Sequence, residues 1–397
     1  MGKAREDHLV ALKADRLRPG MYVAALDRLW LHTPFPPGGF YVRDLRQIEK
    51  IQRFCTYVYI DPLKSEEPQD IVVPFEAVPV SALAPRVDRH SVGEELPWAR
   101  PALGALTDSV RQMMRDVRTG RLPDLEALNT ALVPLIESIQ RCPDAVIWLL
   151  RTEPSAAYLY RRAIGTAVVA AVFGHHLGFD RPALLELALG GLLLDIGKLE
   201  VPITILAKSE NLTPHEFGLV RKHVCHGLDI MRLLEEVPEH VVDMISNHHE
   251  RFDGTGYPQQ QRGTEIPLYA RIAGIADTFD AITQDRRYAP AISAHTALRY
   301  LNGQRGSKFD NALLQDFIHA MGIYPTGTWV ELLDGSIGMV CSQDDCWPLT
   351  PRIAVTSGNG GQTDELQLVI ASRRNPIIRA RHSGGPGTDA PDLEAIA

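Results

Sequence analysis

The chain has 397 residues, with 41 Lys and Arg against 49 Asp and Glu, for a formal charge of −8. Hydrophobic residues make up 45% and charged residues 23%, a globular balance with length enough for two or three domains. The acidic excess argues against general binding to DNA or anionic membranes, which needs a basic face, whereas a few local cations suffice for a small anionic ligand.

The first twenty residues carry charges throughout and no apolar stretch, which predicts no signal peptide. Five cysteines at irregular spacing (Cys55, Cys142, Cys225, Cys341 and Cys346) predict reduced thiols and a cytoplasmic setting. The longest apolar runs, at 167–173 and 187–194, fall short of the roughly 20 residues that span a bilayer, so no membrane span is expected.

Met21–Ala24 and Tyr57–Ile60 are β-prone, and Leu45, Ile48, Ile51 and Phe54 give 44–54 a helical period. Residues 1–70 therefore read as a small α+β module. Residues 71–101, with Pro79, Pro85, Pro97 and Pro101, read as a linker. From 102 to 322 the apolar spacing is helical: Leu103, Leu106, Val110 and Met113, then Leu125, Leu128, Leu132, Leu135 and Ile139. Further helices are predicted over 156–177, over 181–194 behind the N-cap Asp180, and from the capping box Thr213–Glu216. Others follow over 238–248, 268–282, 294–301 and 311–321. Trp329–Leu333, Ser336–Cys341, Arg352–Val355 and Leu366–Ile370 are strand candidates in a small β extension, 323–374. The Gly- and Pro-rich residues 375–397 read as a disordered tail. The fold class is thus multidomain: a central all-α helical bundle between a small N-terminal α+β module and a small C-terminal β appendix.

Six of the 14 histidines (His215, His223, His226, His240, His248 and His249) lie within 35 residues. Metal sites need imidazoles and carboxylates converging on one point, and a helical bundle can supply them from separate helices. Asp195, His223, His248, His249 and Asp277 are the candidates. His175 and His176 suit a helix C-terminus, His215 a surface, His226 no chemistry, Lys208 solvent, and Cys225 helix packing.

Four segments carry a family resemblance. They are Leu194-Asp-Ile-Gly-Lys198, Lys222-His-Val-Cys-His-Gly227, His248-His-Glu-Arg-Phe-Asp-Gly-Thr-Gly-Tyr-Pro258, and the stretch from Ala270 to Tyr288 with Ala276-Asp-Thr-Phe-Asp-Ala281. In this order they resemble the HD-GYP family, a subgroup of the HD superfamily of metal-dependent phosphohydrolases, over about 158–321. Residues 1–70 resemble the small module often found ahead of such domains, and Ile323-Tyr-Pro-Thr-Gly327 resembles the start of the family's C-terminal extension. The resemblance implies an HD-type bundle that hydrolyses the second messenger cyclic di-GMP with iron, manganese or zinc. It makes Asp195 a bridging carboxylate, His223, His248, His249 and Asp277 further ligands, and Lys198 a phosphate contact. Asp280 and Arg286 fall where the family contacts the nucleotide, with Arg287 beside them. Asp253, Gly254, Gly256, Tyr257 and Pro258 form a shaped loop, with an exposed aromatic, implicated in docking to GGDEF-type partners.

Two positions depart from the family pattern. Leu194 stands where the naming motif has His, and Arg162 where the upstream helix normally offers another His. Neither side chain can ligate a metal. The expectation is a reduced ion complement and impaired hydrolysis, with Arg162 pairing with Asp195 or Asp277 in place of a missing ion. The alternative is a catalytically inactive relative that binds nucleotide or a protein partner.

Overall fold

Two units divide the chain, Met1–Ala84 and Pro85–Ala397. The computed structural model describes residues 10–26, 35, 39–55, 57–60, 90–153, 158–208, 210–284, 291–343, 351–357, 365–372, 375–381, 391 and 393. In the first unit, strands β1 (Val10–Lys13), β2 (Tyr22–Leu26), β3 (Phe40–Tyr41) and β4 (Tyr57–Ile60) form an antiparallel sheet in the order β1-β4-β2-β3. Helix α1 (Leu45–Phe54) joins β3 to β4. The Asp44 carboxylate accepts the Gln47 N–H at 2.7 Å, while Gln47 Oε1 accepts the Arg43 N–H at 2.8 Å, so the first turn is capped from both sides. Ile48 and Ile51 face one core with Val23, Phe40, Val58 and Ile60.

The second unit opens with α2 (Val92–Arg118), which corrects the expected linker over 71–101: its last ten residues are helix. Pro97 and Pro101 suggested a break, because each removes a backbone donor. Two things override them. Ser91 and Glu94 form a reciprocal capping box, and Leu96, Ala99, Ala102 and Leu106 are buried at helical spacing. Residues 71–89 lie outside the described residues.

The bundle continues with α3 (Leu125–Arg141), α4 (Pro143–Thr152), α5 (Tyr158–His176), α6 (Arg181–Leu193), α7 (Ile203–Leu206) and α8 (Pro214–Arg221). It is completed by α9 (His223–Arg232), α10 (Glu239–Asn247), α11 (Leu268–Ile282), α12 (Ala294–Gly303) and α13 (Asn311–Met321). The caps expected at Asp180 and at Thr213 with Glu216 are formed. Helix α5 is buried on every side from Ala167 to Phe173 and packs against α6, α11 and α13, the pattern of a central helix. Helices α5 and α6 approach closely because Gly191 has no side chain: a Cβ there would lie 2.6 Å from Ala167 Cα. Among the described residues no helix is long and apolar enough to cross a membrane.

Strands β5 (Trp329–Leu332), β6 (Ile337–Ser342), β7 (Arg352–Ser357), β8 (Glu365–Ile370) and β9 (Ile377–Arg381) form an antiparallel sheet in the order β8-β7-β6-β5-β9. Its core is Val330, Leu332, Val340, Ile353 and Val355. Strand β9 corrects the expectation that 375–397 is disordered throughout: it pairs with β5, and Arg379 and Arg381 both reach Glu331 Oε2 at 2.9 Å. Of the rest of that tail, residues 375, 376, 391 and 393 are described and the others lie outside the described residues. The sheet is fastened to the bundle at Asp144 of α4, whose buried carboxylate accepts the Thr326 hydroxyl at 2.7 Å and the Gln343 N–H at 3.0 Å.

Candidate metal centre

Asp195 follows the end of α6 and leads into a 3-10 turn, Ile196–Glu200. That turn is pressed onto α9, since a Cβ on Gly197 would lie 2.0 Å from the His223 carbonyl oxygen and 2.4 Å from Gly227 N. The contact brings Asp195 beside His223, the first residue of α9. His248 and His249 follow the last turn of α10. One donor atom from each of these four residues lies within 4.8 Å of the others.

The tautomers of two rings follow from their partners. His223 Nδ1 lies 2.7 Å from Val220 O, and His248 Nδ1 lies 3.1 and 3.0 Å from Met244 O and Ile245 O. A carbonyl only accepts, so each Nδ1 carries the proton and each Nε2 presents a lone pair. Those Nε2 atoms are 3.4 Å apart, and Asp195 Oδ1 is 3.4 Å from the first and 3.9 Å from the second. Asp195 Oδ1 is buried with no hydrogen-bond partner, while Oδ2 accepts the Lys198 ammonium at 2.5 Å. Three acceptor atoms thus face one another with no proton between them. Separations of this size match the edge of a coordination tetrahedron with bonds of about 2.0–2.1 Å.

The protonation states agree. Burial pushes the His223 imidazole down to about 4, and it lowers His248 and His249 as well, so all three rings are neutral near pH 7. Burial opposes ionisation of Asp195, but the Lys198 ammonium, with the Arg162 guanidinium behind it, holds its carboxyl below the usual range. Neutral imidazoles and an ionised carboxylate are what a divalent ion needs. The donor set fits a metal.

Asp277 and Asp280 stand apart from this group. They share a face of α11, three residues apart, and Arg162 of α5 reaches both. Its Nη2 donates to Asp277 Oδ1 and, at 3.3 Å, to the Asp277 carbonyl, and its Nη1 donates to Asp280 Oδ2. Gln284 Nε2 donates to Asp280 Oδ1 at 2.7 Å. Gly165, one turn beyond Arg162, makes the room, because a Cβ there would lie 2.2 Å from Asp280 Oδ1. Asp280 is wholly buried and its carboxyl is pushed up by that burial, against the pull of Arg162 and Arg151. Arg151 of α4 enters from the other end: it donates to the Thr283 hydroxyl at 2.9 Å, and its guanidinium lies 5.5 Å from the centre of the Phe279 ring.

The glycine-rich loop after α10 is held from within. Gly254 has φ +78°, and a Cβ on Gly256 would lie 2.3 Å from Arg251 N. Glu250 Oε1 accepts the Gln259 and Gln260 N–H groups at 2.6 and 3.0 Å, and Asp253 Oδ1 accepts from Thr255 N at 2.9 Å. Tyr257 is half-buried. Its ring stacks on His249 with centroids 4.6 Å apart, and the Arg221 guanidinium lies over the same ring at 4.1 Å.

The structure therefore brings together Asp195, Lys198, His223, His248 and His249, and leaves Asp277 bonded to Arg162. Three expectations need correction. Asp280, expected to contact nucleotide, has no exposed surface and is bonded to Arg162 and Gln284. Tyr257, expected as an exposed aromatic, is packed against His249; the loop's exposed edge is Thr255, Pro258, Gln259 and Gln260. Cys225, expected in helix packing, is exposed. Leu194 is buried in the bundle. Lys208 bonds to Glu216 at 2.9 Å, and His215 is exposed. Arg286 and Arg287 lie outside the described residues. The sequence pattern missed Arg221, Arg151 and Gln284; Gln284 alone left a signal, four residues after Asp280 on the same helical face.

Comparison with known proteins places the chain in a family. The HD domain family matches residues 144–313, and a domain of unknown function, DUF3391, matches residues 9–128. The chain is 34% identical over 378 residues to the cyclic di-GMP phosphodiesterase PA4108 of Pseudomonas aeruginosa, covering 90% of this chain and 91% of that protein. It is 36% identical over 143 residues to the cyclic di-GMP phosphodiesterase response regulator RpfG of Xanthomonas campestris pv. campestris, 36% of this chain and 38% of that one. A solved structure, the HDG"Y"P protein Bd1817 from Bdellovibrio bacteriovorus, aligns with TM-score 0.47 and 16% identity over 78% of this chain and 98% of that one. The chain is an HD domain protein. Within that class it belongs to the HD-GYP family.

Proposed function

We propose that this chain hydrolyses the phosphodiester of cyclic di-GMP at the Asp195, His223, His248 and His249 centre, more slowly than a family member with a full ligand set. The observation that carries this reading is the convergence of two imidazole lone pairs on the unpartnered Asp195 oxygen. The substrate class is supported by the likeness over 90% of this chain to a relative named as a cyclic di-GMP phosphodiesterase. A divalent ion, whether iron, manganese or zinc, supplies Lewis-acid polarisation of the phosphoryl group and activation of water.

The chain's own residues do the rest. The Nδ1 bonds of His223 and His248 fix their rings with Nε2 inward, so the donors are set before any ion arrives. Lys198 places an ammonium beside Asp195, where it offsets the charge of an incoming phosphodiester. Leu194 and Arg162 leave the set short of two imidazoles, and that shortage is the basis for impaired turnover.

The test is hydrolysis of cyclic di-GMP by purified protein loaded in turn with Fe(II), Mn(II) and Zn(II). Linear product should form only with metal, and Asp195→Asn should abolish it while the far-UV spectrum is unchanged. Nucleotide binding without any product would instead support the inactive, nucleotide-binding relative that Leu194 and Arg162 also fit.

A further inference from the structure

The carboxylates of Asp277 and Asp280 are both buried, and both end on one guanidinium. Arg162 is itself buried, at 7% exposure, and it is held by α11 across the packed face of α5. Gly165 leaves a recess on α5 that the Asp280 carboxyl fills, so this pairing is built into the helix–helix contact. Among the described residues, Arg162 and Arg151 bring two positive groups to this contact, and Asp277 and Asp280 two negative ones. The pair also borders the four-donor group. Arg162 lies within electrostatic reach of Asp195, and Asp277 within reach of His248.

We infer that Arg162 is an internal cation that takes up the carboxylates next to the centre, so that the centre accepts one divalent ion per chain and no second. The inference rests on the reading of Asp195, His223, His248 and His249 as the ion-holding set. A planar guanidinium suits the task, since its fork meets two carboxylates at once and it stays charged at every working pH. Each carboxylate gives a lone pair to Arg162 and has its charge offset by the guanidinium, which lowers its attraction for a second ion. Removing the guanidinium would leave the Asp277 and Asp280 carboxylates buried three residues apart without the cation both are bonded to, an arrangement that demands another cation.

The experiment is to load the full-length protein with Mn(II), desalt it, and count ions per chain by mass spectrometry alongside the electron paramagnetic resonance spectrum. Wild type should hold one ion with the spectrum of isolated Mn(II). Arg162→Ala should hold two, with the broadened spectrum of a coupled pair, and its melting temperature should rise with Mn(II) more than that of wild type. Arg162→Lys, which keeps the charge, should stay at one. Two ions in wild type would overturn the inference and leave the proposed centre standing, as would one ion in a folded Arg162→Ala. If Arg162→Ala does not fold even with Mn(II), the wild-type count and the Arg162→Lys count still decide. No ion in wild type would bring down the proposed centre, and the inference with it.

Discussion

The ring of Tyr257 lies on the ring of His249, with centroids 4.6 Å apart and planes 26° from parallel. The tyrosine of the glycine-rich loop thus orients a candidate ligand from outside the donor group. The hydrogen bonds of Glu250 to Gln259 and Gln260 keep the loop in position to do so. Groups that orient a ligand from behind are worth about 10–100-fold in metal affinity. Tyr257→Phe keeps the stacking and should bind metal like wild type. Tyr257→Ala should lose about tenfold or more, read by competition with a chelator.

Arg221 is exposed, and its guanidinium rests over the Phe217 and Tyr257 rings at 6.0 and 4.1 Å. No ion pair among the described residues uses it, so its charge adds to that of Lys198 beside the centre. It is therefore a cation beside the centre available to an anionic ligand. Arg221→Ala should weaken cyclic di-GMP binding by about tenfold, equivalent to about 1.4 kcal/mol, without changing metal content. Calorimetry on the metal-loaded protein gives the affinity, and mass spectrometry the metal.

Gly197 sits where the Asp195 turn meets α9, with backbone atoms 2.0 and 2.4 Å from the place a Cβ would occupy. Backbone cannot swing aside as a side chain does. Gly197→Ala should push Asp195 away from His223, destabilise the protein by about 1–3 kcal/mol and lower metal content. Denaturant unfolding and metal analysis report the two effects separately.

Glu95 is a buried carboxylate far from this site in sequence. Its oxygens accept the Ser138 hydroxyl at 2.6 Å and Arg141 Nε and Nη2 at 2.9 and 2.7 Å. Burial opposes its ionisation, but the bonds from Arg141, Ser138 and His90 outweigh burial and hold its carboxyl below the ordinary value of 4.5. A depressed carboxyl contributes stability that is present above its unfolded value and is lost as the pH falls through the folded one. Glu95→Gln should cost about 2–3 kcal/mol at pH 7, a difference that shrinks steadily below about pH 4.5. Urea unfolding at a series of pH values checks it.

Where residue types dictate backbone or chemistry, the molecule was readable in advance. Helices α6 and α8 begin at the caps expected, and Asp195, His223, His248 and His249 meet as their motifs imply. Arg162 pairs with Asp277, one of the two partners anticipated, but its second partner is Asp280 and not Asp195. That outcome depends on which face of α11 turns toward α5 and on the recess at Gly165, and pairwise packing leaves no mark in a single sequence. The start of α2 was hidden for the opposite reason: two prolines gave a strong local signal, and burial of Leu96, Ala99 and Ala102 overrode it. Strand β9 was hidden because its pairing with β5 lies almost fifty residues away along the chain. The inward turn of Tyr257 left no signal, because the loop's glycines show that it bends without showing which way the ring falls.

The Asp144 tie between α4 and the C-terminal sheet reaches further than the two hydrogen bonds it receives. The turn that delivers Thr326 also sets Gly327 against Arg151, where a Cβ would lie 2.6 Å from the arginine's own Cβ. Arg151 extends inward to Thr283 and the Asp280 region. Peeling the sheet away would therefore strip the cover from a guanidinium and from the Asp144 carboxylate together, a penalty that keeps sheet and bundle from melting separately. The appendix behaves as the bundle's closing layer, and heat should take both apart in a single cooperative step.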